Sequence, residues 1–180
     1  MGFRRRPSST LALGRGEKVL AVAQLTEEVE VVATSLRLVV RSSDGAAWER
    51  CWPEIDTVTW DSEERLLTVV DIEGGGTGLD LVADAHLRLA QVVRERVQST
   101  LVASRRVQVP GGQVRLVVRK DGGHLVVQEL ADPGADATGA RARAQVAQAK
   151  RELADLVGLS REPDVLPPMS APRTGVQDHP

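Results

Sequence analysis

The hydrophobic period first changes near residue 84, and that change constrains the fold more than any other feature of the chain. Between residues 16 and 83 the apolar residues come in short, β-branched runs broken by turn formers. Lys18–Leu25, Val29–Thr34, Leu36–Arg41, Ala46–Cys51, Ile55–Trp60, Leu66–Ile72 and Leu79–Val82 read as seven strands. They begin roughly 7–13 residues apart, the spacing of an antiparallel sandwich or barrel. Asp44-Gly45 is a hairpin turn, because glycine takes positive φ at little steric cost. Pro53 has no amide proton and punctuates the chain before the fifth strand. After Asp84, placed to cap a helix, Leu89, Val93, Val97 and Leu101 recur at every fourth position. That stripe predicts an amphipathic helix of about 18–20 residues lying on the sheet.

Beyond the helix the strand pattern returns. Val107–Val109 leads into the turn Pro110-Gly111-Gly112, and Val114–Arg119 and His124–Leu130 flank Lys120-Asp121-Gly122-Gly123 as a hairpin. A second helix is expected from about Ala137 to Val157, with the stripe Ala142, Val146, Ala149, Leu153 and Leu156. Gly158 suits the left-handed position after a helix, and Leu159 is its apolar follower. The expected fold is therefore mainly β with α: a seven-stranded antiparallel sandwich or barrel capped by one amphipathic helix, plus a C-terminal hairpin and helix.

Charge marks the boundaries. Residues 1–15 carry +4, residues 16–103 carry −8, residues 104–159 carry +3 and residues 160–180 carry −1. The first section is a basic flexible terminus, the second the main domain, the third a hairpin-helix appendage. The last section holds five of the nine prolines and few large apolar residues. It is expected to be a disordered tail, because it cannot bury enough surface to offset chain entropy.

The local text resembles bacterial pleckstrin-homology-like domains. Ala33-Thr34-Ser35-Leu36-Arg37-Leu38 is similar to their T-x-x-R-L stretch. Pro53-Glu54-Ile55-Asp56-Thr57-Val58-Thr59-Trp60-Asp61 is similar to their PW-x-x-I strand entry, with Trp52 before the proline instead of after it. Val92-Val93-Arg94-Glu95-Arg96-Val97 and Arg105-Arg106-Val107 resemble uncharacterised proteins of Actinobacteria, and 20 arginines against 3 lysines fit a GC-rich genome. The resemblance spans about residues 16–159. It implies the fold of seven strands and a helix, and it brings no established activity. Anionic lipid binding in such domains relies on basic side chains around the first hairpin loop, and that loop here is Thr26-Glu27-Glu28.

No residue set points to catalysis. The glycines at 74–78 lead into strand rather than into a helix N-terminus, so they read as a slack hairpin and not as a phosphate cradle. His86, His124 and His179 lie far apart and form no metal-ligand pair. Cys51 is the one cysteine, which excludes an intrachain disulfide, and it is expected to be a small core residue. Glu27/Glu28 and Glu63/Glu64 lie in turns, where nothing splits their pKa values into an acid and a base. Trp48, Trp52 and Trp60 are expected to fill the interior, one of them serving otherwise as an exposed anchor for a partner. No cofactor and no metal is expected.

These features lead to a non-catalytic, cytoplasmic binding module whose partner is another protein. The interaction would use a sheet edge, the groove between sheet and helix, or the appendage. The alternative is a peripheral module that meets an anionic membrane through Arg4, Arg5, Arg6, Arg105, Arg106, Arg115, Arg119 and Lys120. A net charge of −2 and the scarcity of aromatic residues speak against nucleic acid as a ligand. The run Leu11-Ala12-Leu13 stops at Gly14 and is too short for a secretory signal.

Overall fold

Strand residues alternate between two faces, and each valine-rich run here commits one face to a core. A computed structural model describes residues 11–26, 28–42, 47–81 and 86–159. The expected tail at 160–180, the arginines at 4–6, the Asp44-Gly45 turn and the Asp84 cap lie outside them. The strands are β1 (Val19–Gln24), β2 (Val29–Thr34), β3 (Arg37–Ser42), β4 (Ala47–Cys51), β5 (Ile55–Asp61), β6 (Leu66–Asp71) and β7 (Gly76–Asp80). Then come α1 (His86–Thr100), β8 (Leu101–Val109), β9 (Gly112–Asp121), β10 (His124–Ala131) and α2 (Ala140–Leu156). The protein is mainly β, as its sequence pattern requires.

The structure is not the expected single seven-stranded sandwich or barrel capped by one helix, but three antiparallel sheets and two helices. The seven N-terminal strands divide into a four-stranded antiparallel sheet in the order β1-β2-β3-β4 and a three-stranded sheet in the order β5-β6-β7. The break falls where Trp52-Pro53-Glu54 make a 3-10 turn. Pro53 has no N–H to give a ladder, and the Glu54 carboxylate takes the Cys51 amide instead, at 2.7 Å. The two sheets enclose a common core. Ala21, Ala23, Val31, Ala33 and Leu38 come from the first sheet, Leu67, Val69 and Leu79 from the second. Trp52 lies in this core and donates its indole N–H to the Thr34 carbonyl at 3.2 Å. Trp48 and Trp60 are half-buried against it.

Helix α1 closes this core with Leu89, Ala90, Val93 and Val97. Burying the three large side chains contributes about 5–9 kcal/mol as an upper bound. The helix ends earlier than its stripe suggested. The hydroxyls of Ser99 and Thr100 each donate to the carbonyl three residues back, both at 2.7 Å, and such local bonds compete with helix propagation. Leu101 is therefore not the last stripe residue. It is the first residue of β8 and is 47% exposed. Helix passes to strand with no connecting loop.

Likewise, β7 starts among the glycines and not at Leu79. The Asp71 carboxylate accepts the amides of Glu73 and Gly75 at 3.1 and 2.8 Å, tightening the turn. Gly74 sits there at φ +86°. Gly76, Thr77 and Gly78 then pair with Val70, Val69 and Thr68.

The appendage is larger than a hairpin. β8 is nine residues long and pairs with β9, giving a third antiparallel sheet in the order β10-β9-β8. One face of this sheet carries Val114, Leu116 and Val118 against Val146, Ala149 and Leu153 of α2. The expected stripe ends one residue early. Leu156 is 77% exposed, because the chain turns away at Gly158, φ +72°. Leu159 N–H then bonds the Ala154 carbonyl at 2.9 Å and packs into the cluster in its place. The opposite face of the sheet carries Arg115, Val117 and Arg119, and it lies against the 3-10 turn and the end of α1.

Candidate functional site

Strand β5 is an edge. Its one partner in the sheet is β6, so among the described residues no strand pairs with its other side, where only the Asp56 carbonyl is taken, by Arg119. Alongside that edge runs α1, and between the two lies an open trough of about 780 Å³. Residues 56–60 form one wall. Leu87, Ala90, Gln91, Arg94, Val97 and Gln98 form the other; their spacing puts them on one helix face. Ala90 and Val97 are buried at its floor, with the half-buried Val58 and Trp60 opposite. Thr57, Thr59, Gln91, Arg94 and Gln98 are exposed along the rim. Leu87 stands 60% exposed at one end. The helical wall from Leu87 to Gln98 is about 16 Å long at 1.5 Å per residue. Five extended residues cover about the same distance.

Asp56 closes the other end, and it is held from β9. Arg119 Nη2 donates to the Asp56 carbonyl at 3.1 Å and to Oδ1 at 3.3 Å. Arg115 bonds Oδ2. Arg119 Nη1 donates to Thr100 Oγ1 at 2.8 Å. Arg119 is only 2% exposed. Burial pushes its pKa below the ordinary arginine value, while the Asp56 charge opposes that shift. Removing Asp56 would leave the buried Arg119 charge uncompensated. Gln128 Nε2, on the same sheet face, donates to the Pro53 carbonyl at 2.9 Å.

A second, shallower trough of about 560 Å³ lies between β8 and α2. The strand–strand–strand–helix order of β5 to α1 thus repeats in β8 to α2, each helix beside the first strand of its meander. Here Arg105 bonds Glu152 across the opening, and Gln145, Gln148 and Arg141 make the walls polar. The first trough, larger and with an apolar floor, is the stronger candidate.

The basic residues singled out in the sequence do not gather into one patch. Arg106, Arg115 and Arg119 share the sheet face toward the first core, since Arg106 stands opposite Arg115 in the ladder. Arg105 and Lys120 point to the other face by alternation. Arg119 and Arg115 are engaged by Asp56, and Arg105 by Glu152. Arg106 and Lys120 are exposed. Arg4, Arg5 and Arg6 lie outside the described residues.

Cys51 is not a core residue. It is exposed on the outer face of the first sheet, opposite Arg37. Partial burial, then the charges of Glu54, Asp121 and Glu49, raise its pKa, so the thiol form is favoured over the nucleophilic thiolate. His124 is exposed at the start of β10. Among the described residues, no three of His, Cys, Asp and Glu stand where they could hold a metal ion. No helix there is long and apolar enough to cross a membrane.

What the sequence reading passed over is Asp56 and Thr100, the partners of Arg119. The signal was present in Arg115-Leu116-Val117-Val118-Arg119. Two arginines on one face of an otherwise apolar strand need acids, and the preceding section carries −8. No protein-family model, curated protein or solved structure matches the chain.

Proposed function

We propose that the chain is a non-catalytic binding module whose ligand is an extended segment of another protein, laid along β5 in the trough beside α1. The observation that carries this reading is the unpaired edge of β5 next to an apolar-floored trough of matching length. A strand added there would gain main-chain hydrogen bonds from β5 and would set alternate side chains into the trough. Val58, Trp60, Ala90 and Val97 supply the apolar contact. The rim of Thr, Gln and a single Arg imposes little charge selection, so an apolar-polar alternating segment fits better than a highly charged one. The first lobe, residues 16–103, is on this reading a pleckstrin-homology-like unit, supported by its order of four strands, three strands and one helix.

Selection of random dodecapeptides displayed on phage against the purified chain tests the proposal. Selected peptides should slow amide exchange at residues 57–60. Gln91→Trp, which adds bulk to the exposed helical wall, should weaken them at least about tenfold, a change of roughly 1.4 kcal/mol. Selection that returns nothing, or peptides that protect only other elements, would sink it.

A further inference from the structure

The geometry points to Arg119 as the residue that sets the width of the trough, acting as a positioning residue from outside it. This rests on the trough being the binding site. One wall of the trough is β5 and the other is α1. Arg119 touches both walls at the closed end. Through Nη2 it holds the main-chain carbonyl and the carboxylate of Asp56, on β5. Through Nη1 it holds Thr100 Oγ1, on the last residue of α1. Thr100 is itself buried and anchored to the Val97 carbonyl, and Val97 lines the trough.

A guanidinium is planar, so its two terminal nitrogens fix the two walls at one separation, which a flexible ammonium cannot do. Arg115 adds a bond to Asp56 alone and so orients the strand without reaching the helix. Arg119 comes from β9, in the middle of the third sheet. That sheet is therefore a brace for the site and not an independent attachment: its other face is occupied by α2, and the face carrying Arg119 is spent on holding the walls.

Hydrogen exchange on the full chain, without any ligand, tests the assignment. Arg119→Met should speed exchange at least tenfold at residues 55–58 and in the last turns of α1, and leave the α2 amides unchanged. Thr100→Val keeps the arginine and the side-chain shape but removes the acceptor on the helix. It should speed exchange at the end of α1 and leave β5 as it was, and it decides the matter if Arg119→Met does not fold. Arg119→Lys should restore less than half of the lost protection. Unchanged exchange at both walls would overturn the assignment, as would faster exchange spread evenly through α2. Failure to select any peptide would sink the binding reading and leave this result standing, since no ligand enters the measurement.

Discussion

A carboxylate can sit almost fully buried beside a sheet only if its charge is answered, and Glu17 is answered four times. Its oxygens accept the Thr34 hydroxyl at 2.7 Å, the Gly14 amide at 2.7 Å and Arg37 Nε at 3.0 Å, with Arg37 Nη2 at 3.4 Å. Burial alone would raise its pKa. The hydroxyl, the amide and the guanidinium outweigh that, so the group titrates below the ordinary glutamate value. Its folded pKa lies below its unfolded one, so its contribution to stability is complete above the unfolded pKa and disappears as pH falls through the folded value. Glu17→Gln should cost about 2 kcal/mol near neutral pH, and the difference from wild type in denaturant midpoint should begin to shrink once the pH falls below the ordinary glutamate value of about 4.3. A penalty that stays constant from pH 7 to pH 3 would show that the charge is irrelevant. The same residues explain the T-x-x-R-L stretch. Thr34 Oγ1 accepts the amides of Leu36 and Arg37, at 3.1 and 3.0 Å, to shape the turn, and Arg37 returns to Glu17 and to Glu49. A motif legible in the sequence thus has a structural job. Asp56 and Arg119 were illegible as a pair because 63 residues separate them, and only the docking of the third sheet brings them together.

At the scale of elements, the period of each run was legible and its ends were not. Stripes through Leu89, Val93 and Val97 and through Val146, Ala149 and Leu153 identify both buried helix faces. The periodicity does not reveal that hydroxyl back-bonds stop α1 at Thr100, or that Gly158 replaces Leu156 with Leu159. Substitutions separate the two situations. Val97→Asp places a charge among Leu89, Val93 and the strands. It should cost at least about 3 kcal/mol and undock α1, read as lost helical signal and a melting temperature lower by about 6–12 °C or more. An unchanged melting temperature would refute the packing. In α2 the contrast is internal. Leu153→Ala removes a side chain buried under the third sheet and should cost about 2–5 kcal/mol. Leu156→Ala, three residues on and exposed, should stay within about 0.5 kcal/mol of wild type. Urea midpoints for the two variants that come out alike would contradict the placement of the helix end. The start of β8 is hidden for a related reason. Leu101–Arg106 alternates poorly, being exposed at most positions, and an edge strand without an apolar face leaves no period to find.

At the scale of the whole molecule, the two lobes are joined by charge that neither can keep alone. Arg119 is as buried as a core leucine, and its ion-pair partner lies in the other lobe, so separating the lobes must either hydrate both groups or strand one. Val117, fully buried on the same face, adds apolar surface to that junction. The direct passage from α1 into β8 removes the linker that would let the lobes swing. The molecule should therefore unfold as one unit. Its chromophores allow a clean test. All three tryptophans, Trp48, Trp52 and Trp60, lie in the first lobe, whereas α2 and its core lie in the second. Tryptophan fluorescence follows one lobe, and far-ultraviolet circular dichroism at 222 nm weights both helices. The two denaturation curves should coincide in midpoint and slope, as a two-state transition requires. In Asp56→Asn the amide cannot balance Arg119 and Arg115, and the curves should move together to lower denaturant by about 3 kcal/mol. Curves that separate in the wild type, with helical signal surviving after the tryptophans are exposed, would mean that the third sheet and α2 stand alone. The polar junction would then be an ornament of the folded state, and the brace on the β5 trough would go with it.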